Sequence, residues 1–145
     1  MRILVVHGPN LDRLGVREPE IYGTQTLADI EGRIRERAEE RGAEVDFFQS
    51  ASEGRIIDYL HREGPEADGI ILNGGALTHY SIALYDCLKT LAAPVVEVHI
   101  SNLHARTDGS FRTRSVTAPA AVGVITGLGP AGYLLALEYL IDRDQ

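Results

Sequence analysis

Cysteine is nearly absent from this sequence: the single one, Cys87, stands in an apolar stretch, so no disulfide closes within the chain and no thiolate metal cluster is available. Such usage suits a reducing, cytoplasmic setting. Lysine is equally scarce, because Lys89 is the sole lysine among 14 Lys and Arg residues. Tryptophan is missing and aromatics make up only 6%, which leaves little surface on which to stack a flavin. Positive charge is in the minority, 14 Lys and Arg against 21 Asp and Glu for a net charge of -7. That balance argues against nucleic acid and anionic membrane as partners and favours a small molecule. No apolar run approaches a membrane span, and Ile3-Leu4-Val5-Val6 after Met1-Arg2 is too short for a signal peptide, so a soluble protein is expected.

What is present is regular alternation. At 145 residues the length fits one domain spanning 1–145. Short β-branched runs at 3–7, 45–48, 69–73, 95–100 and 121–126 read as buried strands, and the Leu, Ile and Ala spacings of 27–41, 55–63, 81–91 and 131–143 read as amphipathic helices. Alternating strand and helix predicts an α/β, flavodoxin-like fold, a five-stranded parallel sheet with helices on both faces, whose ligands bind beyond the carboxyl ends of the strands. The long irregular segments 8–25 and 101–119 are then expected to be lids or binding loops.

Polar residues collect at those strand ends. The first strand runs into His7-Gly8-Pro9-Asn10-Leu11 and the third into Asn73-Gly74-Gly75-Ala76-Leu77-Thr78-His79. Glu97 and His99 lie two apart on the fourth strand, so both side chains share one face and the carboxylate can orient and charge the imidazole. A solitary strand histidine has a plain structural explanation as a satisfied core residue, but here donors follow at once: Ser101-Asn102-Leu103-His104-Ala105-Arg106, then Phe111-Arg112-Thr113-Arg114. They suit a carboxylate or polyhydroxyl ligand, although a solvated basic loop accounts for them equally well in isolation. In the other long loop, Arg17 and Tyr22 join a cation to a phenol. A tyrosine of pKa about 10 needs such a cation, the cheapest source of stabilisation, to become a base near neutrality, but exposed Tyr and Arg neighbours are common and the pair by itself is a weak signal.

Gly127-Leu128-Gly129-Pro130-Ala131-Gly132 matches the dinucleotide fingerprint, but the acidic ribose partner expected about 20 residues further on would fall beyond Gln145. A structural turn opening a helix at Pro130 is the better reading.

Taken together, Gly8-Pro9-Asn10-Leu11 with Leu14-Gly15, Arg17-Glu18-Pro19 with Ile21-Tyr22-Gly23, Gln49-Ser50, Thr78-His79 with Ser81, Glu97-Val98-His99-Ile100-Ser101-Asn102 and His104-Ala105-Arg106 resemble the type II 3-dehydroquinate dehydratases in order and spacing from end to end. The resemblance implies anti elimination of water from 3-dehydroquinate through an enolate to give 3-dehydroshikimate, without cofactor or metal, in the shikimate pathway or quinate breakdown. It implies Tyr22 as general base with Arg17 lowering its pKa, Asn10 holding the water that stabilises the enolate, and His99, paired with Glu97, as general acid. Asn73 and the backbone amides of Ile100 and Ser101 would hold the substrate carboxylate, and His79 and Arg112 the ring hydroxyls. Asp86 resembles a contact supplied by a neighbouring subunit, in a dodecamer built from trimers.

The chain departs from the family pattern in places. His7 stands where Asn is usual, Gly74 and Leu77 replace the commoner Pro and Tyr, and Tyr80 follows His79. Thr107-Asp108-Gly109-Ser110 lengthens the segment before Phe111, which makes Arg114 a rival to Arg112 for the substrate. The lone Lys89, in the helix after the third strand, disfavours a Schiff-base dehydratase, which needs a desolvated lysine in its pocket. Rival readings are a family member weakened in catalysis and a non-enzymatic flavodoxin-like binding module. A phosphoacceptor receiver would need carboxylates where His7 and Asn73 stand, and a flavin site would need aromatics and a phosphate loop.

Overall fold

A computed structural model describes residues 1–16, 18–106 and 111–143, including the backbone but not the side chain of Tyr22. Five strands, β1 (Arg2–His7), β2 (Glu44–Gln49), β3 (Gly69–Asn73), β4 (Val95–His99) and β5 (Gly123–Thr126), form one parallel sheet in the order β2-β1-β3-β4-β5. The helices are α1 (Pro19–Tyr22), α2 (Leu27–Glu40), α3 (Glu53–Glu63), α4 (Ile82–Lys89) and α5 (Ala131–Asp142).

Alternation along each strand divides the core into two layers. Ile3, Val5, Ile71, Val96 and Val98 face α2 and α5, where Ile30, Ile34, Tyr133, Leu137 and Leu140 cover them. Leu4, Val6, Ile70, Leu72 and Val95 face α3 and α4, covered by Ile56, Leu60, Leu84 and Leu88. The predicted doubly wound α/β sheet with helices on both faces is therefore observed.

Element boundaries differ from the sequence reading for local reasons. Ser52 and Ser81 cap α3 and α4, accepting from the backbone N–H of Arg55 at 3.2 Å and of Leu84 at 2.9 Å, so α3 begins two residues earlier than its apolar pattern suggests. Strand β5 starts late because Ala118–Ala120, with Pro119 inside it, closes a 3-10 turn first. The expectation that every strand is buried is corrected at the edges. Glu44 and Asp46 of β2 and Gly123 and Val124 of β5 are exposed, since an outer strand of an open sheet has a neighbour on one side only.

The chain leaves β1 for β2 on one side and later returns to place β3 on the other, so the loops after β1 and β3 part at the sheet's carboxyl edge. They separate only after touching: a Cβ on Gly8 would sit 2.2 Å from the Gly74 carbonyl oxygen, and one on Gly75, whose φ is +58°, would sit 2.8 Å from that of Pro9. Only glycine allows two backbones to pass so closely. Among the described residues no helix is long and apolar enough to cross a membrane.

Candidate active site

The parting loops open a small cleft at the carboxyl ends of β1, β3 and β4. Seven of the residues singled out in the sequence line it: Asn10, Asn73, His79, His99, Ile100, Ser101 and Arg112. Each arrives from a different backbone device. Asn10 follows β1 with φ +69°, the left-handed region that asparagine tolerates better than most residues. Asn73 ends β3, and its Oδ1 accepts the Gly75 N–H at 3.1 Å. His79 closes the 3-10 turn Gly75–His79, and its Nδ1–H donates to the Arg114 carbonyl at 2.7 Å, leaving Nε2 as its acceptor.

Behind the cleft wall lies the pair on β4. Glu97 is wholly buried and His99 is 5% exposed, with Nε2 of the ring 2.8 Å from Glu97 Oε2. The imidazole donates there, and Nδ1 is the nitrogen left for the cleft. Two hydroxyls complete the carboxylate's surroundings: Ser115 donates to Oε2 at 2.7 Å and Thr117 donates to Oε1. Burial pushes the Glu97 carboxyl up, but the hydrogen bonds from His99, Thr117 and Ser115 and the charge of His99 outweigh it, so its pKa is held below the ordinary value. Glu97 is consequently a dry, ionised acceptor that fixes the orientation of the His99 ring.

Ser115, Thr117 and Arg106 were not among the residues singled out for roles. Arg106 lines the cleft and donates to the Ser101 hydroxyl at 2.8 Å. Its signal was its place three residues after Leu103, in the polar run that follows His99. Ser115 and Thr117 carried no signal, because no periodicity relates a loop hydroxyl to the strand carboxylate it meets. The rivalry between Arg112 and Arg114 has a geometric side: Arg112 lines the cleft and Arg114 does not.

Other expected residues sit apart. Asp86 is exposed on α4, away from the cleft of its own chain. Lys89, the last residue of α4, is exposed too. Tyr22 ends the short helix α1, which Pro19 starts and the Gly23 N–H closes onto the Pro19 carbonyl at 2.8 Å. Arg17, the Tyr22 side chain and the lengthened segment at Thr107 to Ser110 lie outside the described residues. The glycine motif of the last crossover proves structural: Gly127 has φ +94° and would press a Cβ to 2.7 Å from that of Asn102, and Gly132 lets α5 approach Ile125 and Val98. Among the described residues no group of three or more His, Cys, Asp or Glu is placed to hold a metal ion.

Comparison with known proteins gives a consistent result. The family model for dehydroquinase class II matches residues 1–141. A 3-dehydroquinate dehydratase from Halothermothrix orenii is 57% identical over 141 residues, spanning 97% of this chain and 94% of that protein. The crystal structure of the type II dehydroquinase from Propionibacterium acnes superposes with a TM-score of 0.92 at 45% identity, covering 97% of this chain and 95% of that one. That of the type II dehydroquinase from Butyrivibrio crossotus gives 0.93 at 42% identity, covering 97% of each.

Proposed function

The chain belongs to the class II dehydroquinase family, and from that premise and the geometry of the cleft we propose that residues 1–145 form one catalytic unit that dehydrates 3-dehydroquinate to 3-dehydroshikimate. The observation that carries the reading is the buried Glu97–His99 pair at 2.8 Å, whose second ring nitrogen opens on a polar cleft at the switch point of the sheet.

The substrate carboxylate meets the Asn73 side chain and the backbone amides of Ile100 and Ser101, and the ring hydroxyls meet His79 and Arg112. Tyr22, its phenol acidified by Arg17, takes a proton from the carbon beside the ketone. The electron pair moves onto the ketone oxygen as an enolate, stabilised through a water held by Asn10. The enolate then collapses: a carbon–carbon double bond forms and the neighbouring carbon–oxygen bond breaks. The departing oxygen takes the proton of His99 Nδ1 and leaves as water. One proton must afterwards pass from Tyr22 to His99 to reset both groups. Glu97 stays ionised throughout and makes the imidazolium affordable. Neither biosynthesis nor quinate breakdown is favoured by these residues, since both use this reaction. The working form in this proposal is a cytoplasmic dodecamer of trimers, in which exposed Asp86 reaches a neighbour's cleft.

The test is direct. Folded protein added to 3-dehydroquinate alone produces the ultraviolet absorbance of the conjugated enone product, and a chelator leaves the rate unchanged. A flat absorbance trace from folded protein refutes the proposal.

A further inference from the structure

A row of polar side chains runs through the interior beneath the cleft, and of its members the chemistry above uses only Asn73. His7 and Asn73 are register partners on β1 and β3, on the face covered by α2 and α5. Tyr133 of α5, fully buried, lies over both. Asn73 Nδ2 donates to the Tyr133 hydroxyl at 2.9 Å, and that hydroxyl is 3.3 Å from His7 Nδ1. On the far side of the imidazole, Nε2 is buried without a hydrogen bond and faces Glu31 Oε1 of α2 at 3.4 Å.

The direction of each bond follows from what each group is able to do. The Gly75 N–H can only donate, so it fixes Oδ1 of Asn73 on its own side and puts Nδ2 toward Tyr133. A phenol that accepts from Nδ2 must place its own proton elsewhere, and His7 Nδ1 is the lone pair within reach. The ring then carries its hydrogen on Nε2, the tautomer favoured by the Glu31 carboxylate. Burial pushes the Tyr133 phenol well up, which keeps it a neutral O–H donor. One Nδ2 proton of Asn73 is thus committed to Tyr133, and the other is left for the cleft that Asn73 lines.

We propose that Tyr133 and His7 are positioning residues that lock the Asn73 amide with its second N–H directed at the substrate. The inference rests on the reading of Asn73 as a substrate contact. A phenylalanine at 133 would fill the same space at less desolvation cost, and a buried imidazole whose Nε2 has only a 3.4 Å approach to Glu31 and no hydrogen bond is an expensive way to fill a core. Orienting a group at the cleft gives both a purpose.

The experiment uses Y133F, H7F, H7N and N73A, each checked for cooperative thermal unfolding. In H7N the side-chain oxygen stands at the same branch position as imidazole Nδ1 and still accepts from Tyr133; in H7F nothing does. The chain has three asparagines, Asn10, Asn73 and Asn102, so selective 15N labelling isolates the Asn73 side-chain amide in NMR spectra of the unliganded protein. Wild type and H7N are expected to show one Asn73 Nδ2–H signal displaced by its hydrogen bond and protected from solvent exchange, and Y133F and H7F to lose that displacement and protection. With 3-dehydroquinate, Y133F and H7F raise KM about 3- to 10-fold, the scale of one neutral hydrogen bond, and change kcat less. In the N73A background Y133F adds nothing further, because its effect passes through the amide that is gone. Unchanged Asn73 signals in Y133F overturn the proposal even if the protein turns nothing over. If N73A raises KM and Y133F does not, or if the two effects add, the positioning role alone fails. If N73A leaves KM unchanged, the substrate contact itself was misassigned and the positioning role falls with it.

Discussion

Replacing Glu97 by Gln isolates what its charge does. Three donors converge on the two carboxylate oxygens: His99 and Ser115 on Oε2, and Thr117 on Oε1. A glutamine has nearly the same shape but offers one oxygen and one NH2. The Thr117 hydroxyl can rotate to accept from that NH2, so the oxygen keeps facing His99 and the packing survives. What disappears is the negative charge opposite the imidazole ring. Hydrogen bonds to charged partners are worth about 1.5–3 kcal/mol against about 0.5–1.5 for neutral ones, so E97Q weakens support for the protonated ring by roughly 1–2 kcal/mol. That corresponds to a fall in kcat of about 5- to 30-fold. KM stays near wild type, because Glu97 does not line the cleft. A stability measurement provides the second readout. Burial raises the Glu97 carboxyl, and its three donors with the charge of His99 more than reverse this, holding it below its ordinary value. A carboxyl lowered on folding stabilises the protein above its unfolded pKa and loses that contribution as pH falls through the folded value. Chemical unfolding followed from pH 7 down past 4.5 should therefore show wild type losing a contribution that E97Q never had, so the two curves converge in acid. A kcat within twofold of wild type, together with parallel stability curves, would refute the assignment of Glu97 as the charge that arms His99.

Three further outcomes follow from the same geometry. H99A and Y22F should each lower kcat by about 100- to 10,000-fold in the enone assay while still binding product in a calorimeter, and near-normal turnover in either strips that residue of its role. G8A puts a Cβ 2.2 Å from a backbone carbonyl that has nowhere to go, so the loops bearing Asn10 and Asn73 must separate. A thermal midpoint lower by several degrees and a raised KM are expected, and an unchanged midpoint would show that the loops do not need this contact. K89A should leave kcat untouched, and borohydride added during turnover should not inactivate the wild type; covalent trapping at Lys89 would point instead to an imine mechanism.

The architecture was legible because fully buried parallel strands read as unbroken β-branched runs, and β1, β3 and β4 are of that kind. The edge strands were found by the same signal but their exposure was not, since strand order is a property of the crossovers. Glu97 and His99 were legible as a pair because a strand has a period of two, and that period carries over unchanged into a 2.8 Å hydrogen bond. The supports of the pair were not. Ser115 and Thr117 reach Glu97 from a loop 18 and 20 residues away in sequence, a distance no local pattern spans. Helix α1, four residues long, is too short to leave a periodic trace. Asp86 entered as a candidate through family resemblance alone, and Tyr22 was selected through it, since a loop phenol near an arginine is a weak signal by itself.

The parity of the strands also explains why the cleft needs the switch point. Val95, Glu97 and His99 share a parity, so the proposed acid is supported on the α3 and α4 side of the sheet. Ile71 and Asn73 share the other, so the proposed carboxylate contact is supported on the α2 and α5 side by Tyr133 and His7. Two dry networks on opposite faces thus end on one cleft, and only at the carboxyl edge, where the loops after β1 and β3 turn apart, is a single small molecule able to touch groups anchored in both. A substitution on one face should accordingly leave the other group's support intact. T117V, acting through Glu97, belongs with kcat; Y133F, acting through Asn73, belongs with KM; and the double variant should show the product of the two effects, since the sites share no partner. Strong coupling between them in a double-mutant cycle would mean that the two faces are not independent and that the division of labour argued from parity is wrong.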